Sequence, residues 1–394
     1  MFAIFTATRK RIGTLFALAS LAWLAACDVT LAPDANVGQA IDPEKPVQVA
    51  LLVPGGSTQN RDNLLAQDFE NAARLAIADL EGAAIDLRVY NTAGGNPEQA
   101  AASAIAAVND GAKIIIGPLY GEAANAAGVA IAGRDVNVLA FSNNTAFAGG
   151  NVFILGQTFE NTASRLVRFG TGRGINRYMI LHSDNLPGRV GRDAITGAIQ
   201  GNGAQIVGVE TYPLSQQGIF QSTRRIVSNV RSSGAQAVFT TATYDLDLGF
   251  ITTALPDGGM NTTTSPFFGI TRWDLNPQLF DLPGVQGSYF AMPDPGPAAL
   301  FANRYAATYG EAPHPLAGLA YDGIAAVGAL VAAGNRDAVT KAALTQPQGF
   351  RGTSGVFRLL PNGLNERGLA IATIQNNQVV ILEQAPRSFA AAGF

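Results

Sequence analysis

Cysteine is nearly missing from this 394-residue sequence, in which Cys27 stands alone. A chain with one thiol forms no internal disulfide and no thiolate metal cluster, so it folds by burial alone. Histidine is almost as scarce: His182 and His314 lie far apart and lack the spacing of metal ligands. Charge is thin as well, with 14% of residues charged and a formal net charge of −3. That sign and sparsity exclude the basic face that nucleic-acid phosphates require, so nucleic acid is not an expected partner. The Gly-x-Ser-x-Gly elbow, the Walker loop and the His-Glu-x-x-His pair are absent. Asp245 and Asp247 read as solvated helix-start acids, favoured by the helix dipole, in preference to a glycosidase pair. The chain therefore reads as a non-enzymatic protein with no cofactor and no metal.

Long apolar runs are also rare, and the first of them has an address. Arg9-Lys10-Arg11 precedes the stretch from Ile12 to Ala26, which ends on small residues, the layout of an export signal over residues 1–26. At about 15 residues the stretch is too short for a comfortable membrane span. Leu24-Ala25-Ala26-Cys27 resembles the lipobox of bacterial lipoproteins. The resemblance implies that Cys27 becomes the diacylated first residue and hangs the mature protein from a cell-envelope membrane on the periplasmic side. Acyl chains supply about 0.8 kcal/mol per buried methylene, so two or three of them anchor stably. Asp28 resembles the residue that retains enterobacterial lipoproteins on the inner membrane. From there to residue 46 the chain carries Pro33, Asp34, Asn36, Gly38, Asp42, Pro43 and Pro46 without an apolar period. Residues 27–46 thus read as a flexible tether, reaching at most about 65 Å.

The remainder is long enough for two lobes at roughly 100–200 residues per domain. Strand-like runs at Val47 to Val53, Ile85 to Tyr90, Lys113 to Ile116 and Val136 to Phe141 alternate with helical patterns at Leu64 to Leu80, Pro97 to Asn109 and Glu122 to Arg134. After Gly149-Gly150 the rhythm restarts and runs to Phe267–Ile270 and Gly287–Ala291, with a strand-rich end from Gly355 to Glu383 and a tail over 385–394. Such alternation predicts an α/β protein in which each lobe is a doubly wound parallel sheet. Ligands of such sheets sit beyond the carboxyl ends of strands, so two facing edges would form a cleft that closes by a hinge.

Val49 to Gly55, the run Asp110-Gly111-Ala112-Lys113-Ile114-Ile115-Ile116-Gly117-Pro118, Val138 to Ser142, Gly287 to Met292, Tyr305 to Pro313 and Ala320-Tyr321-Asp322-Gly323 together resemble the type I periplasmic binding proteins. The nearest branch is the leucine/isoleucine/valine-binding family. The resemblance implies a two-lobed type I periplasmic-binding fold whose lobes are discontinuous in sequence: 47–155 plus 289–349, and 156–288 plus 350–384. It implies a small polar ligand, an amino acid or relative, held between the lobes for an ABC permease. The chain also resembles lipoproteins that activate penicillin-binding proteins by contact, with the cleft vestigial.

The resemblance also assigns a site. The family's carboxylate loop maps onto Leu119-Tyr120-Gly121, where the usual hydroxyl becomes Gly121, and a second small polar loop onto Ser142-Asn143-Asn144-Thr145. Ser57 belongs to the loop after the first strand. Tyr244 stands where an aromatic lid is frequent, while the ammonium side is depleted: Pro187 replaces an aromatic, and the loop Gly269 to Trp273 lacks a carboxylate. Arg272, with Trp273, is expected to offer an anion or sugar surface instead.

Overall fold

A computed structural model describes residues 38–389. Cys27, Asp28 and the signal segment lie outside the described residues. The chain runs through β1 (Val47–Val53), α1 (Asn60–Ala78), β2 (Ile85–Asn91), α2 (Pro97–Asn109), β3 (Ile114–Ile116), α3 (Gly121–Ala130), β4 (Asn137–Ala140) and β5 (Val152–Ile154). These five strands make one wholly parallel sheet in the order β2-β1-β3-β4-β5. Val-Gln-Val-Ala-Leu-Leu-Val in β1 is an almost unbroken apolar run and is buried nearly throughout. A strand covered by helices on both faces needs that composition. Apolar clusters accordingly fill both faces of the sheet.

The second round is α4 (Phe159–Thr171), β6 (Arg177–Ser183), α5 (Leu186–Gly201), β7 (Gln205–Tyr212), α6 (Gln216–Ser233), β8 (Ala237–Thr240), α7 (Leu248–Asp257), β9 (Phe267–Gly269) and β10 (Tyr289–Met292). Next come α8 (Pro295–Tyr309), α9 (Gly318–Ala332), the short α10 (Lys341–Leu344), and the strands β11 (Phe350–Gly352), β12 (Gly355–Leu359), β13 (Asn365–Arg367), β14 (Ala370–Gln375) and β15 (Gln378–Glu383). The second sheet has the order β15-β14-β10-β9-β8-β6-β7. Its part from β7 to β10 is parallel and wound like the first sheet, and β14 and β15 extend it as antiparallel edge strands. The expected α/β class with two parallel-sheet lobes is what the chain adopts.

Three segments differ in place from the sequence expectation. Tyr289–Met292 pairs with β9 and β14 in the second sheet, so the chain returns to the first lobe after Met292, not at Ser288. β11, β12 and β13 form a small antiparallel sheet of their own, and Phe350, Phe357 and Leu359 pack into the first-lobe core. Residues 38–46, expected in the tether, lie on the first lobe. Ile41 is buried and its amide donates to the Arg336 carbonyl at 2.8 Å, while Lys113 Nζ donates to Gln39 Oε1 at 2.8 Å.

Where the chain crosses between lobes, buried polar groups stitch the segments together. Asn365 Nδ2 donates to the carbonyls of Ile154 and Gly156, each at 2.8 Å. Arg367 donates from Nη2 to the Leu155 carbonyl at 2.6 Å and pairs with Asp322 at 3.0 Å, both side chains being buried. Asp322 also accepts from the Thr353 amide at 2.6 Å and its hydroxyl at 3.0 Å. A buried ion pair is tolerable only when its remaining hydrogen-bonding capacity is met, as it is here.

Candidate functional site

β3 ends in Gly117-Pro118, joined by a cis peptide bond. Gly117 has φ of 86° and a side chain there would lie 2.1 Å from the Leu52 carbonyl oxygen, so only glycine fits. The turn delivers Leu119 and Tyr120 to the start of α3. Tyr120 donates its hydroxyl to Asp62 Oδ1 at 2.7 Å, and Ser57 Oγ donates to Asp62 Oδ2 at 3.0 Å. Burial, helped by the neighbouring Asp62 carboxylate, pushes the Tyr120 hydroxyl above its ordinary pKa, so it stays a donor.

β4 ends beside β3, and its loop folds on itself. Ser142 Oγ accepts from the Asn144 amide at 3.0 Å, and Asn144 Oδ1 accepts from the Ala146 amide at 3.1 Å. These turns present Ser142, Asn143 and Asn144 to the space in front of Tyr120 and Gly121. The result is a cleft of about 510 Å³ lined by Leu119, Tyr120, Gly121, Ser142, Asn143 and Asn144, with Gly156 and Gln157 of the first crossover at its back. Arg61, Leu65, Phe141, His314, Leu316 and Leu319 complete the lining. The sequence expectation had not included these six. Arg61 stands four residues past Ser57, and His314 sits conspicuously between two prolines; the others are apolar and carry no such signal.

Gly121 has a packing reason. A Cβ at this position would meet the Phe147 ring at 2.8 Å and the Asn144 side chain at 3.2 Å. The volume in which a serine or threonine would stand is taken by an aromatic ring.

The remaining expected residues fall elsewhere. Ser57 is occupied beneath Asp62 and does not line the cleft. Thr145 donates to Glu160 Oε1 at 3.0 Å and lines an adjoining groove of about 460 Å³ with Val190 and Asp193 of α5. Tyr244 is half-buried against the second-lobe core. Arg272 pairs with Asp274, donating from Nε to Oδ1 at 3.0 Å and from Nη2 to Oδ2. Its loop does carry a carboxylate, one residue beyond the stretch considered, and that carboxylate is occupied. Trp273 is buried and stacks on Phe290 at 6.2 Å, so it offers no face to a ligand. Asp247 is likewise not a solvated acid: it is buried and accepts from Tyr212 Oη and the Thr243 amide, both at 2.7 Å. Burial raises its pKa against the pull of those hydrogen bonds.

Comparison with known families settles the affiliation. The profile of a family described as periplasmic binding protein matches residues 46–378, most of the chain. The chain belongs to the periplasmic binding protein family. No curated protein sequence matches it. Among solved structures, it is similar to a protein described as a branched-chain amino acid ABC transporter from Rhodospirillum rubrum, with 18% identity, a TM-score of 0.73, and coverage of 86% of this chain and 100% of that one. A substrate-binding protein of an ABC transporter from Desulfitobacterium hafniense, in complex with Leu, aligns with 16% identity, a TM-score of 0.62, and 86% and 100% coverage. A solute-binding protein of an ABC transporter from R. palustris, in complex with 4-hydroxybenzoate, aligns with 16% identity, a TM-score of 0.58, and 87% and 98% coverage. At these identities the likeness establishes the fold, and this member of the family shares it along almost its whole folded length.

Proposed function

We propose that the protein is a lipid-anchored, non-enzymatic solute-binding protein of the periplasm that holds a small polar ligand, an amino acid or relative, and presents it to an ABC-type permease. The observation that carries this reading is the cleft at the carboxyl ends of β3 and β4, backed by the Gly156-Gln157 crossover. Ligands of wound α/β sheets sit at such edges. Relatives of the same fold crystallised with Leu and with 4-hydroxybenzoate support a ligand bearing a carboxylate. Cys27 carries the anchor and Asp28 favours the inner membrane. The lobes are proposed to comprise 47–155 with 293–349 and 156–292 with 370–384, strapped together by the small sheet at 350–367. Calorimetry and thermal shift against amino acids and their carboxylate relatives test the reading. A ligand at a hundred times its dissociation constant stabilises the fold by about 2.7 kcal/mol, and no response to any of them rejects it.

A second reading, activation of a penicillin-binding protein by contact, is favoured by the Phe147 ring beside Gly121 and by the self-paired Arg272 and Asp274. Both features remove ligand contacts from a cleft. Crosslinking in the cell envelope decides between them: a cell-wall synthase among the captured proteins supports activation, and a permease alone supports transport.

A further inference from the structure

We infer that the ligand's carboxylate is bound by Arg61, with Tyr120 beside it, on the α1 side of the cleft and not in the corner at Gly121. This rests on the ligand-binding reading and specifies which residue carries it. At Gly121 a Cβ would meet the Phe147 ring within 3 Å, so no side-chain hydroxyl can stand at this position. Across the cleft the polarity is reversed. Arg61 is exposed and lines the space, and the Tyr120 ring lines it too, its hydroxyl held by Asp62.

Arg61 is in an expensive place for a cation. It lies in the first turn of α1, where the helix dipole favours negative charge. A residue that breaks a local rule in this way is expected where function compensates the cost. Asp62, the neighbouring acid, turns its two oxygens to the hydroxyls of Tyr120 and Ser57 and forms no ion pair with Arg61. A guanidinium is a planar fork matched to a carboxylate. Leu65, Leu119, Phe141 and Leu319 supply an apolar bed next to it. The chemistry fits a monocarboxylate with a branched or aromatic apolar body. Asp184 and Asp245 are exposed on the opposite lobe and line none of this cleft.

The test uses the full chain in mild detergent and titrates four probes by calorimetry: 4-methylpentanoate and leucine, and their amides, 4-methylpentanamide and leucinamide. The expected result is that both acids bind and that Arg61→Gln weakens them about tenfold or more, the scale of a charge-assisted hydrogen bond, while leaving the amides within about twofold. Arg61→Lys, which keeps the charge and loses the fork, is expected to fall between. Acids unaffected by Arg61→Gln, or acids and amides weakened alike, overturn the assignment of Arg61 and leave the ligand-binding reading standing. Failure of all four probes to bind the unmodified protein overturns the assignment of a branched apolar monocarboxylate to this cleft, and the wider panel of amino acids and carboxylates then decides the ligand-binding reading.

Discussion

The two lobes are wound alike and finished differently. In the first, β2-β1-β3-β4-β5 ends in an edge where a glycine turn, a serine loop and the α1 side chains leave an open cleft. In the second, β7-β6-β8-β9-β10 repeats the order, yet several charged groups at its edge are already paired: Asp247 with Tyr212 and Thr243, Arg272 with Asp274, and His182 Nδ1 at 2.8 Å from the Ser183 carbonyl, while Trp273 Nε1 and the Thr241 and Thr243 hydroxyls are buried without a hydrogen-bond partner. Winding fixes where a site can stand. Whether a site stands there is decided by which side chains already have partners.

That contrast can be broken most severely where the two lobes are joined. Arg367→Met leaves Asp322 buried without its ion-pair partner and is expected to cost about 3–5 kcal/mol in denaturant unfolding. A loss below 1 kcal/mol would mean that other contacts carry the junction. Gly121→Ser comes next: forcing a side chain against Phe147 is expected to cost about 1–3 kcal/mol, and adding Phe147→Ala is expected to recover most of it. Additive losses in that double-mutant cycle would show that the ring is not the obstacle. Arg272→Gln, on the second-lobe edge, breaks a pair that is partly exposed, and a change in stability of about 1 kcal/mol or less is expected. A larger loss would mark the pair as a structural support of the second lobe.

The smallest effect is a pH slope. Burial holds the His182 imidazole below its ordinary pKa of 6.5, outweighing the opposing pull of the Ser183 carbonyl. Between the folded value and 6.5 the unfolded chain binds more protons, so stability falls as pH drops through that window and is fully present above it. His182→Asn should flatten that part of the melting-temperature profile; an unchanged profile would trace the slope to another group.

Much of this architecture was legible beforehand. Val47–Val53 announced a doubly covered strand, and the alternation of apolar runs announced both lobes, because a parallel sheet imposes its composition on every strand. Leu119 to Gly121 and Ser142 to Asn144 were found as loops ending strands. Partnership was not legible. Asp247 and Trp273 look like surface residues in sequence, and their burial follows from contacts with Tyr212 and Phe290, 35 and 17 positions away. The return after Met292 was misplaced by a few residues, since the pairing of a four-residue strand depends on β14, far along the chain.

The docking of residues 38–46 has a mechanical consequence. Ile41, Gln39 and the start of β1 are fastened to Arg336, Lys113 and Ala84, at the end where the first-lobe strands begin. The cleft is at the end where those strands finish. Under the proposed anchoring at Cys27, any pull along the chain reaches the described fold at residue 38, at the base of the first lobe and away from the cleft.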